Sequence, residues 1–287
     1  MKKFLVTFGD SRMHRSLDRF RKQANVLNFY DAIYCFDESG LEKDFIDMFK
    51  EQLIPGSRGY GYWSWKPQII LQVLRKMQMG DILQYTDVGC HLNPKGIARL
   101  QDYFEFTDKS SMGILAFQAK MPEAPLKHDG RTLFDQRDYM FVKGDLIDYF
   151  GVRNSPEIIN SYSIGATVFF IKKTKESVDF VEEWLGIVKK SFTYIDNTPS
   201  ISPNFEGFIE HRHDQAIFSI LAKKYYLPTL STYEYYYPKN KTIYPDWEIL
   251  KNFPIHAKRD KDLGFFKNLY VLFKRAVNKV KRIMHEM

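Results

Sequence analysis

The sequence predicts an α/β fold built on an open, largely parallel sheet, and three stretches carry that expectation. Residues 3–8 form a β-rich run ending in Gly9-Asp10-Ser11, a helix follows over 12–27, and a second strand spans 32–36. A β-α-β opening of this kind starts a parallel sheet. A short apolar strand at 82–85 delivers Asp87 at its carboxyl end and breaks at Gly89, and open α/β sheets take ligands just beyond the carboxyl ends of their strands. The third stretch, Ser163-Ile-Gly-Ala-Thr-Val-Phe-Phe-Ile171, is a small-residue entry to an apolar strand, with an amphipathic helix expected over 172–190.

Thr7, Gly9 and Asp10 share the sheet edge with Asp87. Either they line a nucleotide pocket, or Asp10 or Ser11 simply caps the next helix. A helix near 42–49 leads to Arg58-Gly-Tyr-Gly-Tyr-Trp-Ser-Trp-Lys-Pro67, a loop flexible at Gly59 and Gly61 and loaded with Tyr60, Tyr62, Trp63 and Trp65. Pro67 suits the opening of a helix, in which Ile70, Val73, Leu74 and Met77 fall on one face. Lys66 beside that helix N-terminus, together with Asp87, suits a phosphate held directly or through a metal. The alternative is a capped strand end and a core-filling aromatic loop.

Further on, 94–103 and 144–150 read as helices, 112–119 as a buried strand, and 120–138, with Pro122, Pro125 and Gly130, as a loop at the active face. Gly165 marks either a close backbone approach to a ligand or a bend before the strand. After a Pro/Asn/Ser-rich loop comes Glu210-His-Arg-His-Asp-Gln-Ala-Ile-Phe218, where Asp214 and Gln215 open a helix whose Ile217, Ile220 and Leu221 face the core. An acid there can serve the helix dipole alone, yet two His, an Arg, an Asp and a Gln are more than capping requires. Residues 233–237 and Trp247 form a second aromatic patch, expected on the sheet's far side. His256 and Lys258 follow, either as a metal ligand and a phosphate contact or as surface residues.

The length suits one large domain or two modest ones, and the expected division is a single domain over 1–260 with a separate tail over 261–287. Hydrophobic residues at 44% and charged residues at 27% fit a soluble globular protein. Lys2 and Lys3 lead straight into a strand with no signal-peptide pattern, no apolar run reaches membrane-spanning length, and Cys35 and Cys90 give neither a disulfide framework nor metal spacing. The expected location is therefore cytoplasmic. Residues 256–287 hold nine Lys/Arg against three Asp/Glu, so nearly all of the net charge of +7 sits in the tail. That placement argues against a nucleic-acid footprint spread over the domain. Phe266, Leu269, Tyr270, Phe273, Val277, Val280 and Met284 form one helical stripe with Lys and Arg around it. Such a helix either lies on an anionic membrane surface or docks on the domain or a second subunit.

Taken in order, these motifs resemble the GT-A-fold glycosyltransferases, closest to the family 8 type and related bacterial capsular and lipopolysaccharide transferases, over roughly residues 3–259. Tyr85-Thr-Asp-Val-Gly89 resembles the Asp-x-Asp signature that follows an apolar strand. Lys66 matches a basic residue that approaches the nucleotide-sugar. Residues 163–171 are similar to the family's Asn/Ser-x-Gly strand, His213-Asp-Gln-Ala-Ile-Phe218 to its Asp-Gln motif, and Ile255-His-Ala-Lys258 to its C-terminal His and Lys. The resemblance implies a Rossmann-like nucleotide-diphospho-sugar transferase domain, a donor of the UDP-hexose class, a glycan or lipid-linked acceptor, and work at the inner face of the plasma membrane.

It also implies roles. Asp214 would position sugar or acceptor hydroxyls and Gln215 would face the anomeric carbon in a retaining transfer. Thr7, Gly9, Lys66, Asp87 and Lys258 would contact the nucleotide-sugar. Arg58, Tyr62, Trp65, Gly165 and His213 would contact substrate, although core packing is the other use for at least one of the aromatics. Asp87 and His256 would hold Mn²⁺ or Mg²⁺. One departure matters: Gly89 stands where the second Asp would be, which removes a ligand from an ion that prefers several oxygens. A metal-free alternative rests on Lys66 and Lys258. An inverting enzyme would need a carboxylate base, for which Asp214, Asp135 and Asp138 are candidates. Two rival readings stand beside it: a non-catalytic nucleotide- or carbohydrate-binding relative that has lost Asp-x-Asp, and a nucleic-acid-binding protein, suggested by the basic balance and the abundant aromatics.

Overall fold

In a computed structural model the described residues are 1–120, 135–238 and 247–260, together with the two-residue strands at 127–128 and 131–132. The expected tail helix, and most of the expected acceptor loop, lie outside the described residues.

Six strands form the central sheet: β1 (Lys3–Phe8), β2 (Ala32–Phe36), β3 (Ile82–Thr86), β4 (Ile114–Gln118), β5 (Ile164–Lys172) and β6 (Thr229–Ser231), in the spatial order β2-β1-β3-β5-β4-β6. The pairs β1–β2, β1–β3 and β4–β6 are parallel, while β5 runs antiparallel to both β3 and β4. This is the open, Rossmann-like α/β architecture that the resemblance implied. The reversed central strand is the feature that a plain β-α-β reading did not supply. It has a direct consequence, because it places the start of β5, Ile164 to Ala166, beside the carboxyl ends of β3 and β4.

The alternation along each strand divides two cores. Phe4, Val6 and Phe8 face one layer, which holds α2 (Trp65–Leu74), α4 (Lys175–Lys190) and α5 (His213–Lys224). Leu5, Val168 and Phe170 face the other, which holds α1 (His14–Leu27) and α3 (Ile97–Lys109). Helix α2 does not present the single apolar face expected of it: all ten of its residues are buried. It lies between the sheet and α4, so the polar side chains of Lys66, Gln68 and Gln72 must find partners inside the protein. Gln68 and Gln72 do so through Glu42, Gly40 and each other.

A short antiparallel pair, His91–Leu92 with Ile255–His256, brings the end of the domain back to the loop that follows β3. Asn93 N donates to the Pro254 carbonyl at 2.8 Å and Asp260 N to the Gly89 carbonyl at 3.0 Å. Among the described residues no helix is long and apolar enough to cross a membrane.

Candidate functional site

Three elements far apart in sequence deliver one charged cluster to the carboxyl edge of the sheet. Lys66 is the second residue of α2, Asp87 follows β3, and Asp214 is the second residue of α5. The Lys66 ammonium lies 2.5 Å from Asp214 Oδ2 and 3.4 Å from Asp87 Oδ1, and it donates to the Ala166 carbonyl of β5 at 2.9 Å. The Tyr85 hydroxyl donates to Asp87 Oδ1 at 2.6 Å. The side chains of Lys66 and Asp214 are 3% and 7% exposed but that of Asp87 is 32% exposed, so the cluster opens to solvent at Asp87.

The electrostatics follow from this enclosure. Burial acts to lower the pKa of Lys66, but the charges of Asp214 and Asp87 outweigh it and hold the ammonium above its ordinary value. Burial pushes the Asp214 carboxyl up to about 6, with Lys66 opposing the shift and Asp87 adding to it. Burial, and then the charge of Asp87, hold the Tyr85 phenol well above its usual range. Gln215, half-buried at the same helix head, gives Asp214 a backbone hydrogen bond.

The aromatic loop before α2 has an unusual form. Gly59, Tyr60, Gly61, Tyr62 and Trp63 all have positive φ, at 61°, 51°, 82°, 54° and 62°, and Tyr62 N donates to the Arg58 carbonyl at 2.7 Å. This is a left-handed turn, which costs L-residues roughly 1–2 kcal/mol each. The turn sets Tyr62 and Trp63 against His213, with ring centroids 4.9 and 5.6 Å away. His213 itself has φ 51°. Its Nδ1 donates to the Ile195 carbonyl at 2.6 Å, and Nε2 is buried without a hydrogen-bond partner among the described residues. Burial lowers the His213 pKa to about 4 and that of neighbouring His211 to about 3.

Several expected site residues have other duties. Trp65 is 4% exposed, stacks on Phe8 at 4.0 Å, and gives its indole N–H to the Gly59 carbonyl. It is a core residue and presents no face for a sugar. Gly165 approaches a side chain of this protein: a Cβ there would lie 2.5 Å from the Tyr235 hydroxyl. Asp10 caps the turn before α1 and pairs bidentately with Arg12. Gly9 packs closely on Met13 and Leu17, and Thr7 is fully buried, its Oγ1 without a partner among the described residues. Asp138, a candidate base, is buried against Lys223 and Ser219, whereas Asp135 is exposed beside Arg137. Arg58 is exposed and 3.9 Å from Glu210. The aromatic patch expected on the far side lies beside the site instead, with Tyr237 and Trp247 against His256 and Lys258 over the Tyr237 ring at 4.9 Å.

The donor set does not fit a divalent cation. Asp87 Oδ1 already faces an ammonium and a phenol, Gly89 supplies no ligand, and His256 Nε2 donates to the Leu250 carbonyl at 3.1 Å. Of the two expected metal ligands, Asp87 is engaged by Lys66 and Tyr85, and His256 gives its Nε2 to a backbone carbonyl. Among the described residues no three His, Cys, Asp or Glu side chains gather as a metal group.

Two arginines to which the sequence assigned no role complete the surroundings. Arg19 of α1 donates to the Val88 and Cys90 carbonyls at 2.7 and 3.0 Å, fixing the loop that carries Asp87. Arg212 lies over the Phe141 ring at 3.7 Å. Burial lowers its pKa; Glu210 opposes the shift and Arg259 adds to it. Arg212 stood beside the noticed His-Asp-Gln run, whereas nothing in the sequence of α1 singles out Arg19.

No protein-family model and no curated protein matches the chain. Among solved structures it is similar to mouse xyloside xylosyltransferase 1 (9% identity, TM-score 0.40, 89% of this chain and 97% of that one). It is likewise similar to a glycosyltransferase involved in glycosylation of the major capsid of PBCV-1 (11%, 0.44, 92% and 98%). A third is the galactosyltransferase LgtC, in complex with donor and acceptor sugar analogs (11%, 0.43, 88% and 86%). At such identities and scores, function is to be read from the residues of the site.

Proposed function

We propose that this chain is a glycosyltransferase that moves a sugar, of the UDP-hexose class, from a nucleotide-diphosphate donor to a hydroxyl of a glycan or lipid-linked acceptor in bacterial surface polysaccharide synthesis. The observation that carries the reading is the meeting of Lys66, Asp87 and Asp214 at the carboxyl edge of the sheet. That edge is where open α/β sheets take ligands. A buried ion cluster is poor value for stability compared with apolar packing, and strongly perturbed groups in such a place favour a functional role.

The reaction breaks the bond between the anomeric carbon and the diphosphate oxygen and forms one to the acceptor oxygen, whose proton is released. Negative charge grows on the leaving phosphate and positive character on the sugar, so fixed groups of the matching sign lower the barrier. In this reading Asp87, the exposed member, faces the donor. Asp214 fixes sugar or acceptor hydroxyls, Gln215 faces the anomeric centre, and configuration is retained. Lys258, exposed on the Tyr237 ring, meets the phosphates from the rim. The basic tail over 261–287 rests on the anionic inner leaflet and keeps the enzyme near its lipid-linked acceptor.

The test is release of nucleoside diphosphate from a panel of UDP-, GDP- and CDP-sugars in the presence of simple glycoside acceptors, with calorimetric titration of each nucleotide. Release from one donor, lost in Asp87→Asn and Gln215→Ala, is the expected result. Failure of every nucleotide to bind would replace the transferase with a non-catalytic carbohydrate-binding protein.

A further inference from the structure

Lys66 is surrounded in the way a bound metal ion would be. Three oxygens face its Nζ: Asp214 Oδ2 at 2.5 Å, the Ala166 carbonyl at 2.9 Å and Asp87 Oδ1 at 3.4 Å. An ammonium has three N–H donors, and these three oxygens of the protein itself crowd the space around it. The Tyr85 ring closes the cage 4.9 Å from Nζ. Where a second acid would complete an Asp-x-Asp motif, the backbone of Arg259 and Asp260 passes instead: a Cβ on Gly89 would lie 3.4 Å from the Arg259 Cα, and Asp260 N donates to the Gly89 carbonyl.

We propose that the Lys66 ammonium does the work of the divalent cation in this site. It bridges the Asp87 and Asp214 carboxylates and fixes their separation, and the donor binds without Mn²⁺ or Mg²⁺. A second cation brought to Asp87 would meet the tethered one at close range, and like charges at such distance repel strongly in a partly dehydrated site. The leaving diphosphate is met by side chains at the rim, Lys258 and Arg259, which the pairing of Ile255–His256 with His91–Leu92 carries to the loop after β3. The statement about the donor rests on the transferase reading, whereas the statement about the cation rests on the cluster alone.

The experiment is Mn²⁺ binding to the full chain, read from loss of the free-ion signal in electron paramagnetic resonance, with no nucleotide present. Wild type is expected to leave the signal intact up to millimolar Mn²⁺. Lys66→Met, which frees two carboxylates, should bind Mn²⁺ at least about tenfold more tightly, a difference of 1.4 kcal/mol, and adding Asp87→Asn should abolish the gain. Micromolar Mn²⁺ binding by wild type that is lost in Asp87→Asn would overturn the proposal. Should Lys66→Met fail to fold, titration of wild type with UDP in chelator and in Mn²⁺ decides instead: equal affinity supports the proposal, and affinity that arises only with Mn²⁺ overturns it. If no nucleotide binds in either buffer, the transferase reading falls, and the wild-type Mn²⁺ signal still decides the role of Lys66.

Discussion

The Lys66 ammonium and the Asp214 carboxylate, 2.5 Å apart, join the second residue of one helix to the second residue of another. The arrangement is lopsided. An acid at a helix head is favoured by the helix dipole, whereas a cation there is opposed by the dipole and by burial. Lys66 is therefore held in place by two carboxylates and a carbonyl against its local surroundings, and the two helix heads are locked to each other through it.

Breaking that lock should be costly. Asp214→Leu leaves a buried ammonium with Asp87 alone, and loss of one partner of a buried pair costs about 3–5 kcal/mol. The double variant Lys66→Met with Asp214→Leu should recover much of the loss, because it replaces the pair with apolar packing. Urea unfolding of wild type and the two variants measures this, and a single-variant loss under about 1 kcal/mol, the range of an exposed pair, would show that the pair contributes little.

Acid should destabilise the protein through its buried histidines. The unfolded imidazole takes a proton near 6.5, but burial lowers His211 to about 3 and His213 and His91 to about 4 in the folded state. Their contribution is complete above pH 6.5 and is lost as pH falls toward 4. For His211, which falls from 6.5 to about 3, this amounts to about 5 kcal/mol at 1.36 kcal/mol per pKa unit once the pH reaches 3. Asp214, raised to about 6, has the opposite sign: it favours the fold below pH 4 and loses that contribution as pH rises through 6. Thermal midpoints recorded from pH 7 to 4 should fall, and His211→Gln should flatten the curve.

The left-handed turn depends on its first glycine. A Cβ on Gly59 would lie 2.4 Å from the Trp63 ring, on a backbone with φ 61°. Gly59→Ala should cost about 2–4 kcal/mol, a positive-φ penalty of 1–2 kcal/mol plus overpacking of similar size. Near-ultraviolet circular dichroism should show Trp63 displaced. An unchanged spectrum with an unchanged midpoint would mean that the turn is absent in solution.

Gly165 and Tyr235 make a second steric pair. Gly165→Ala should cost about 1–3 kcal/mol through overpacking, and Tyr235→Phe in the same chain should restore most of it by removing the hydroxyl that the new methyl meets at 2.5 Å. Failure of that rescue in thermal unfolding would place the cost of the methyl group elsewhere.

On activity, Asp87→Asn should lower the transfer rate on the order of a hundredfold or more, as loss of one preorganised charge at a reacting centre commonly does. Asp135→Asn should leave it unchanged, since Asp135 lies exposed beside Arg137. Initial rates with whichever donor the nucleotide-sugar panel selects compare the two.

The sequence by itself determined five of the six sheet strands, the order of the main helices, and the residue types at the sheet's edge. Alternating Phe4, Val6 and Phe8, the break at Gly89 and the acid opening α5 are local patterns, and local patterns survive in one dimension. It did not determine the direction of β5, because an apolar strand reads the same whichever way it is paired. Only the tertiary structure decided that Ala166 would face Lys66. It also decided that Trp65 packs in the core on Phe8 while Trp63 packs on His213. Above all it decided what Lys66 does. In the sequence a lysine beside an acid-bearing strand end reads as a phosphate contact. In three dimensions the same lysine is sealed between two carboxylates, because long-range packing of α2, β3 and α5 supplies partners that no neighbour in the chain could provide.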